Sequence, residues 1–311
     1  MNRELMGVFP LWKPAGMTSF TAVKEVGKRF GTKKAGHTGT LDPDVEGVLP
    51  VCIGRATKIV EYLTANDKTY IGEVTLGFST TTEDSSGDMV NQLSVDRLIS
   101  TEEASSVLTS LIGPLEQTPP MYSAVKVKGK KLYEYAREGI EVERPSRMIT
   151  IYQLELLSDP RRNEDGTVSF SFRAVCSKGT YIRTLSVTIG EKLGFPAHMS
   201  HLIRESSGSF QRKDCLTLEK LDEAVEREEE EECLISIETA LSMFPVLKVD
   251  ENMEERILQG AILSIPEEVS NVDESVWALY NQQGECLALY KRDEKRAGKM
   301  KPEKMIRTIR S

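Results

Sequence analysis

The spacing of apolar and polar residues changes repeatedly along the chain between a helical period and a strand period. Residues 18–31 have apolar positions at helical spacing, Thr18 or Ser19 placed to cap the first turn, and Gly31 as a typical helix-ending residue. Residues 68–77, KTYIGEVTLG, alternate with a period of two and predict a strand. The same criteria predict helices at residues 55–64, 101–112 and 218–233, a turn leading into a helix within residues 178–194, and a strand at residues 167–177.

Helices and strands are interspersed without the regular alternation of a doubly wound sheet, so the pattern predicts an α+β fold. After residue 245 the pattern changes to short strands, such as VWALYN and ECLALYK. We therefore predict two domains, residues 1–245 and residues 246–311.

The composition is that of an ordinary globular protein, with 311 residues, 39% hydrophobic and 28% charged. No run of about 18 apolar residues occurs, so no membrane span is expected. The first residues lack the apolar core of a signal peptide. The five cysteines are far apart and have no metal-ligand spacing, which indicates reduced thiols. These features predict a cytoplasmic protein without a metal site.

The net charge of −8 is distributed unevenly. Residues 216–290 carry a net charge of −15, whereas residues 120–215 carry +5 and residues 291–311 carry +6. The acidic run inside the first of these segments is typical of a solvated helix face. Basic surfaces elsewhere remain available to phosphates, so the overall charge does not exclude a nucleic-acid partner.

Candidate chemistry is concentrated in residues 36–51, GHTGTLDPDVEGVLPV. Asp42 precedes Pro43, which favours an extended or turn conformation. A lone aspartate there is commonly a turn-capping residue, and a catalytic carboxylate is the alternative. The neighbouring glycines would let the backbone approach a ligand closely, and His37 offers a flat ring on which a base can stack.

Four further residues have both a structural and a functional interpretation. Arg183 is a candidate partner for a buried carboxylate, because its guanidinium can hold one bidentately, but it could also be a surface residue of a helix. Tyr70 is either a half-buried strand residue or part of a site. For His198 and His201, which would share a helix face, we favour a structural or RNA-facing role over zinc binding, since no cysteine is nearby.

A basic hairpin-like segment, KVKGKK, lies among tyrosines at residues 126–131. Basic residues interleaved with aromatic ones suit a nucleic-acid groove, although a solvated hairpin has the same pattern. The candidate RNA-binding side chains are Lys126, Lys128, Lys130 and Lys131.

Taken together, these segments resemble the bacterial tRNA pseudouridine-55 synthases, the TruB family. The resemblance covers most of residues 9–210 and rests on motifs that follow in the family's order: KPAGMTS, GHTGTLDPDVEGVLPV, KTYIGEVTLGFSTTTED, PPMYSAVKVKGKKLYEYAREG, CSKGTYIRTL and AHMSHLIRESSG. The C-terminal segment is similar to a PUA-type RNA-binding domain. The implied fold is therefore a pseudouridine-synthase fold with a mixed, largely antiparallel sheet flanked by helices, plus a small β-rich PUA-like domain.

The resemblance implies isomerisation of uridine 55 in the tRNA T-loop, without a cofactor. The base would be flipped out, its glycosidic bond cut and the uracil rejoined through C5. Asp42 matches the family's catalytic aspartate, and it could attack C1′ or remove a proton from C2′. The matching substrate-binding residues are His37, Tyr70, Arg183 and Leu202, with Lys13 and Pro14 in a structural motif.

The resemblance further implies an insertion at about residues 118–150 that closes over the T-stem-loop with its lysines on phosphates. We expect a monomer with tRNA as its partner and no membrane or metal. Glu46 and Glu205 depart from the usual pattern and add negative charge near the RNA. Two alternatives stay open: a non-catalytic RNA-binding or tRNA-chaperone protein, and a hydrolase using a second carboxylate such as Asp44 or Glu46.

Overall fold

The computed structural model describes residues 5–266 and 276–308. The predicted domain ranges also include residues 1–4, 267–275 and 309–311, which lie outside the described residues. The strands, in chain order, are β1 (Gly7–Lys13), β2 (Ala35–His37), β3 (Glu46–Ile53), β4 (Lys68–Leu76), β5 (Phe78–Thr80), β6 (Met89–Gln92), β7 (Gly113–Gln117), β8 (Lys126–Val127), β9 (Lys130–Lys131), β10 (Arg147–Leu156), β11 (Arg161–Arg162), β12 (Val168–Cys176), β13 (Ala197–Ser207), β14 (Phe210–Gln211), β15 (Val246–Lys248), β16 (Leu263–Ser264), β17 (Val276–Tyr280), β18 (Cys286–Arg292) and β19 (Lys299–Met305).

The helices lie between these strands in the chain. In chain order they are α1 (Ser19–Arg29), α2 (Val60–Thr64), α3 (Thr101–Ser110), α4 (Leu132–Arg137), α5 (Ile182–Leu193), α6 (Leu218–Glu226), α7 (Ile237–Ala240) and α8 (Glu251–Leu258). Short 3-10 turns occur at Gly54–Ile59, Arg212–Asp214 and Glu230–Cys233. No helix in the described ranges is long and apolar enough to cross a membrane.

The main sheet has ten strands, and its central path runs β1-β3-β13-β4-β12-β10-β7. Neighbours on this path are antiparallel except β3 and β13, which are parallel. The prediction of an α+β fold with a mixed, largely antiparallel sheet is therefore confirmed. The β-rich C-terminal part is also confirmed, as a separate five-stranded sheet in the order β15-β17-β18-β19-β16.

Strand β3 is buried on both faces, which explains why its sequence, EGVLPVCI, is almost entirely apolar. Leu49 and Val51 belong to the main core, together with residues of α1, α3, α5 and α6. Val48 and Cys52 face a second cluster, which includes Leu289 of the C-terminal sheet. Strand β3, which begins just after the Asp42 segment, thus packs between the main core and the C-terminal sheet.

Helix α1 and the acidic helix show where the sequence predictions hold and where they are wrong. The side chain of Thr18 caps α1, and Gly31 follows it with a left-handed φ of 61°. The helix predicted at 218–233 is wrong in its second half, because α6 ends at Glu226 and Glu228 has a φ of 58°. Repulsion within the glutamate run at 228–232 disfavours continuing the helix.

Candidate active site

A cleft of about 1220 Å³ lies beside the main sheet. Six of the predicted site residues line it: His37, Asp42, Tyr70, Lys131, Arg183 and Leu202. They come from β2, the β2–β3 loop, β4, β9, α5 and β13, so the fold brings together positions that are up to 165 residues apart in sequence. Lys126, Lys128 and Lys130 are not among the lining residues, and the Lys130 ammonium is paired with Glu138.

Buried polar groups hold the Asp42 loop, which joins β2 to β3, in place. The Ser19 hydroxyl donates to Leu41 O at 3.0 Å and accepts from Leu41 N at 2.8 Å, which ties the start of α1 to the residue before Asp42. The fully buried Lys13 ammonium donates to Met17 O at 2.6 Å and to Pro43 O at 3.1 Å. Burial lowers the pKa of Lys13 to about 8. These contacts fit the structural role that the sequence indicated for Lys13.

Arg183 points its guanidinium at Asp42 in the fork geometry that arginine forms with carboxylates. Arg183 Nε lies 3.1 Å from Asp42 Oδ2, and Nη2 lies 3.4 Å from Oδ1. The Arg183 side chain is only 6% exposed, whereas that of Asp42 is 41% exposed toward the cleft. Arg183 also donates to Thr82 O at 3.0 Å and Tyr122 O at 2.9 Å, so its position is set from several sides.

Asp84 shares Arg183 with Asp42, and the sequence reading missed it. Its Oδ2 lies 3.4 Å from Arg183 Nη1. Its Oδ1 accepts hydrogen bonds from the Thr82 hydroxyl at 2.6 Å and from Ser86 N at 3.0 Å, an Asx-type turn that the sequence Asp-Ser-Ser could have suggested. Burial is the main cause that raises the pKa of Asp42; Arg183 lowers this pKa, and the charge of Asp84 raises it further.

Tyr70 and Leu202 form an apolar side of the cleft on the neighbouring strands β4 and β13. Tyr70 is 9% exposed and pairs in register with Arg204, while Leu202 pairs with Gly72. Burial raises the pKa of the Tyr70 hydroxyl, an effect that the charge of Arg204 opposes. The phenol is therefore neutral at physiological pH, and the residue lines the cleft.

Arg204 is a second buried arginine that the sequence reading did not identify. It is 1% exposed and donates from Nε to Val48 O at 2.7 Å and from Nη2 to Gly39 O at 3.0 Å. Gly47 has a φ of 132°, and a Cβ there would lie 2.3 Å from Arg204 O. Only glycine fits at this crossing, so Gly47 allows β3 and β13 to pair beside the Asp42 loop.

The histidines have separate environments. His37 Nδ1 accepts from Gly39 N at 3.2 Å, and burial followed by the Arg204 charge lowers the pKa of His37, which keeps the ring neutral. His198 and His201 lie on strand β13, so the premise that they share a helix face is wrong. His198 is buried against the Phe78 ring at 4.3 Å. No group of three or more potential metal ligands occurs within residues 5–266 and 276–308.

One side of the cleft carries cations stacked on aromatic rings. Lys131 and Arg137 each lie 5.3 Å from the centre of the Tyr133 ring. Arg147 lies 5.1 Å from the Tyr181 ring. These residues and the exposed Lys178 line the cleft, and we call the four cations Lys131, Arg137, Arg147 and Lys178 the basic rim.

Comparisons with known proteins show the family of this chain. Residues 27–182 match the model described as TruB family pseudouridylate synthase (N terminal domain), and residues 183–242 match the tRNA pseudouridylate synthase B C-terminal domain. The chain is 53% identical to the tRNA pseudouridine synthase B of Geobacillus thermodenitrificans over 97% of this chain and 99% of that protein. The chain belongs to the TruB family. The resemblance inferred from the sequence motifs is therefore confirmed.

Other TruB relatives and solved structures extend the comparison. The tRNA pseudouridine synthase B of Bacillus anthracis is 52% identical over 96% of this chain and 97% of that protein. A chain from the crystal structure of a Cbf5-Nop10-Gar1 complex superposes with a TM-score of 0.73 at 27% identity, covering 98% of this chain and 86% of that one. The archaeal box H/ACA sRNP Nop10-Cbf5 complex gives 0.71 at 24% identity over 98% and 87%, which supports the fold alone.

Proposed function

We propose that this chain converts uridine 55 in the T-loop of tRNA to pseudouridine, with Asp42 as the catalytic carboxylate. The observation that carries the proposal is the Arg183–Asp42 fork, with Nε 3.1 Å from Oδ2, in the same cleft as the Tyr70 ring. Membership of the TruB family supplies the reaction class, and the names of the curated relatives support tRNA as the substrate.

Each contact of Asp42 suits a carboxylate that reacts at the sugar of a flipped-out nucleotide. Arg183 favours the ionised form and fixes its direction, while partial exposure leaves carboxylate surface available in the cleft. The ionised carboxylate can attack C1′ or take a proton from C2′ to release uracil. In both routes the uracil then turns and C5 bonds to C1′; in the first route this step breaks the bond between C1′ and the carboxylate, and in the second it returns the proton to C2′. C5 then loses its proton and N1 takes one up, so no net proton is consumed. Uridine and pseudouridine are isomers, so the reaction consumes no cofactor.

The other residues have roles that follow from their positions. Tyr70 would stack on the uracil, and Leu202 would form the apolar wall against which the base turns. His37, neutral and held by Gly39 N, would contact the loop from which the target base is extruded. The basic rim would contact phosphates of the T-stem-loop. A monomer acting in the cytoplasm remains our prediction.

Tritium release from a T-stem-loop RNA labelled at uracil C5 tests the proposal, because forming the new C–C bond expels that label. We expect release by the wild-type chain and none by Asp42→Asn, with RNA binding by the variant within a few-fold of wild type. Asp44→Asn is the matched control, since Asp44 lines the same cleft without an Arg183 contact among the described ion pairs. Tight binding without release by the wild type would instead favour the non-catalytic RNA-binding alternative.

A further inference from the structure

An aromatic residue at the mouth of the cleft has no role in the fold or in the proposed chemistry. Phe20 is 65% exposed although it lines the cleft. Among the described residues, it is the one exposed large hydrophobic side chain that lines this cleft. Phe20 lies on the polar side of α1, away from the buried Ala22 and Val26, so core packing does not explain it.

The position of Phe20 relative to the catalytic carboxylate is well defined. Its neighbour Ser19 exchanges two hydrogen bonds with Leu41, the residue before Asp42. Thr18 caps the same first turn of α1 by accepting from Thr21 N. Phe20 is therefore presented from a rigid helix start that is joined directly to the Asp42 loop, rather than from a mobile surface segment.

A lysine side chain contacts the Phe20 ring. Lys24 follows Phe20 by one helical turn, and its ammonium lies 4.4 Å from the ring centre. The ammonium lies over one face of the exposed ring. An exposed aromatic ring with an adjacent lysine suits single-stranded nucleic acid, because the other face of the ring can stack on a base while the cation contacts its phosphate. Flipping the target uridine into the cleft leaves the adjacent loop base without its stacking neighbour.

We propose that Phe20 is a stacking platform for the RNA base adjacent to the flipped-out uridine, with Lys24 on the phosphate of that nucleotide. This inference rests on the proposed function for the identity of the RNA. It adds a recognition residue on the side of the cleft formed by α1.

The test uses T-stem-loop RNAs with 2-aminopurine on one or the other side of the target uridine, in the Asp42→Asn background so that the RNA stays unreacted. Stacking on Phe20 quenches the fluorescence at one of the two positions. We expect Phe20→Ala to weaken binding roughly 5- to 150-fold and Phe20→Leu to lose the quench, because leucine is apolar but has no π-face. Phe20→Trp should keep both the binding affinity and the fluorescence quench. Leu98→Ala, a change at an 85% exposed residue outside the cleft lining, is the matched control.

Two results with Phe20→Leu would overturn the stacking role. One is RNA binding as tight as that of the parent. The other is a fluorescence quench equal to that of the parent at each 2-aminopurine position. A loss of affinity in Phe20→Ala that Phe20→Leu restores would also overturn it, since the contact would then be apolar only. The proposed reaction is judged separately by tritium release from the wild-type chain. Stacking without tritium release would therefore contradict the proposed reaction alone. Tritium release without stacking would contradict the role of Phe20 alone.

Discussion

Arg183 holds Asp42 from one side and Asp84 from the other, so a single guanidinium joins two carboxylates at the floor of the cleft. Two backbone carbonyls, Thr82 O and Tyr122 O, occupy further donors of the same side chain. The direction of the Asp42 carboxylate is thus set by a group that has little freedom to move. This arrangement leads to predictions for the residues on both sides of the fork.

Arg183→Lys should reduce turnover about 100-fold, because an ammonium keeps the charge but cannot hold Asp42 through two nitrogens while donating to the Thr82 and Tyr122 carbonyls. Single-turnover tritium release measures the effect. Arg173→Lys is the control, since Arg173 forms a half-exposed pair with Glu205 at 2.9 Å. Wild-type turnover by Arg183→Lys would contradict the role of the fork.

Asp84→Asn should shift the acid side of the pH–rate profile to lower pH. In the proposed reaction Asp42 acts ionised, so the rate should fall as the pH drops through the pKa of Asp42, which burial raises above the ordinary value of 3.8. The negative charge of Asp84 also raises this pKa, so removing it favours ionisation at lower pH. Profiles of wild type and Asp84→Asn at constant ionic strength measure the shift. An acid side that moves to higher pH would contradict the electrostatic account.

The double variant Arg137→Gln/Lys178→Gln should weaken RNA binding. It should also reduce the magnitude of the slope of log K against log[salt] by about 2, because two phosphate contacts are lost. Both residues belong to the basic rim of the cleft. Lys126→Gln/Lys128→Gln removes the same charge from exposed lysines that do not line the cleft. Titrations at several salt concentrations compare the two. A larger effect from the hairpin pair would assign the main phosphate contacts to the hairpin tip instead.

The sequence predicted the parts of this structure that depend on local rules or on motifs. Helix α1 follows from its Thr18 cap and from Gly31, and β4 follows from its alternating residues. The pairing of Arg183 with Asp42 follows from the family motifs. The contacts of Arg183 with Thr82 O and Tyr122 O do not, because they depend on how two irregular segments fold against α5.

The wrong predictions have similar causes. The separation of His198 and His201 in the sequence predicts a shared helix face, whereas pairing with β4 makes this segment a strand. The sequence predicts a helix up to residue 233, whereas neighbouring charges of the glutamate run repel and Glu228 adopts a left-handed φ. Arg204 was missed because a buried arginine bonded to backbone carbonyls leaves no pattern in the sequence.

Strand β3 has a consequence for how the molecule unfolds. One face of β3 belongs to the main core and the other to the cluster shared with the C-terminal sheet. Lys58 strengthens that junction by donating to Met305 O at 2.7 Å, and Lys304 pairs with Glu61 at 2.6 Å. Neither sheet can separate without exposing apolar surface on the other, so the two parts should melt as one cooperative unit. Loss of the C-terminal sheet would therefore uncover one face of β3, the strand that directly follows the Asp42 loop.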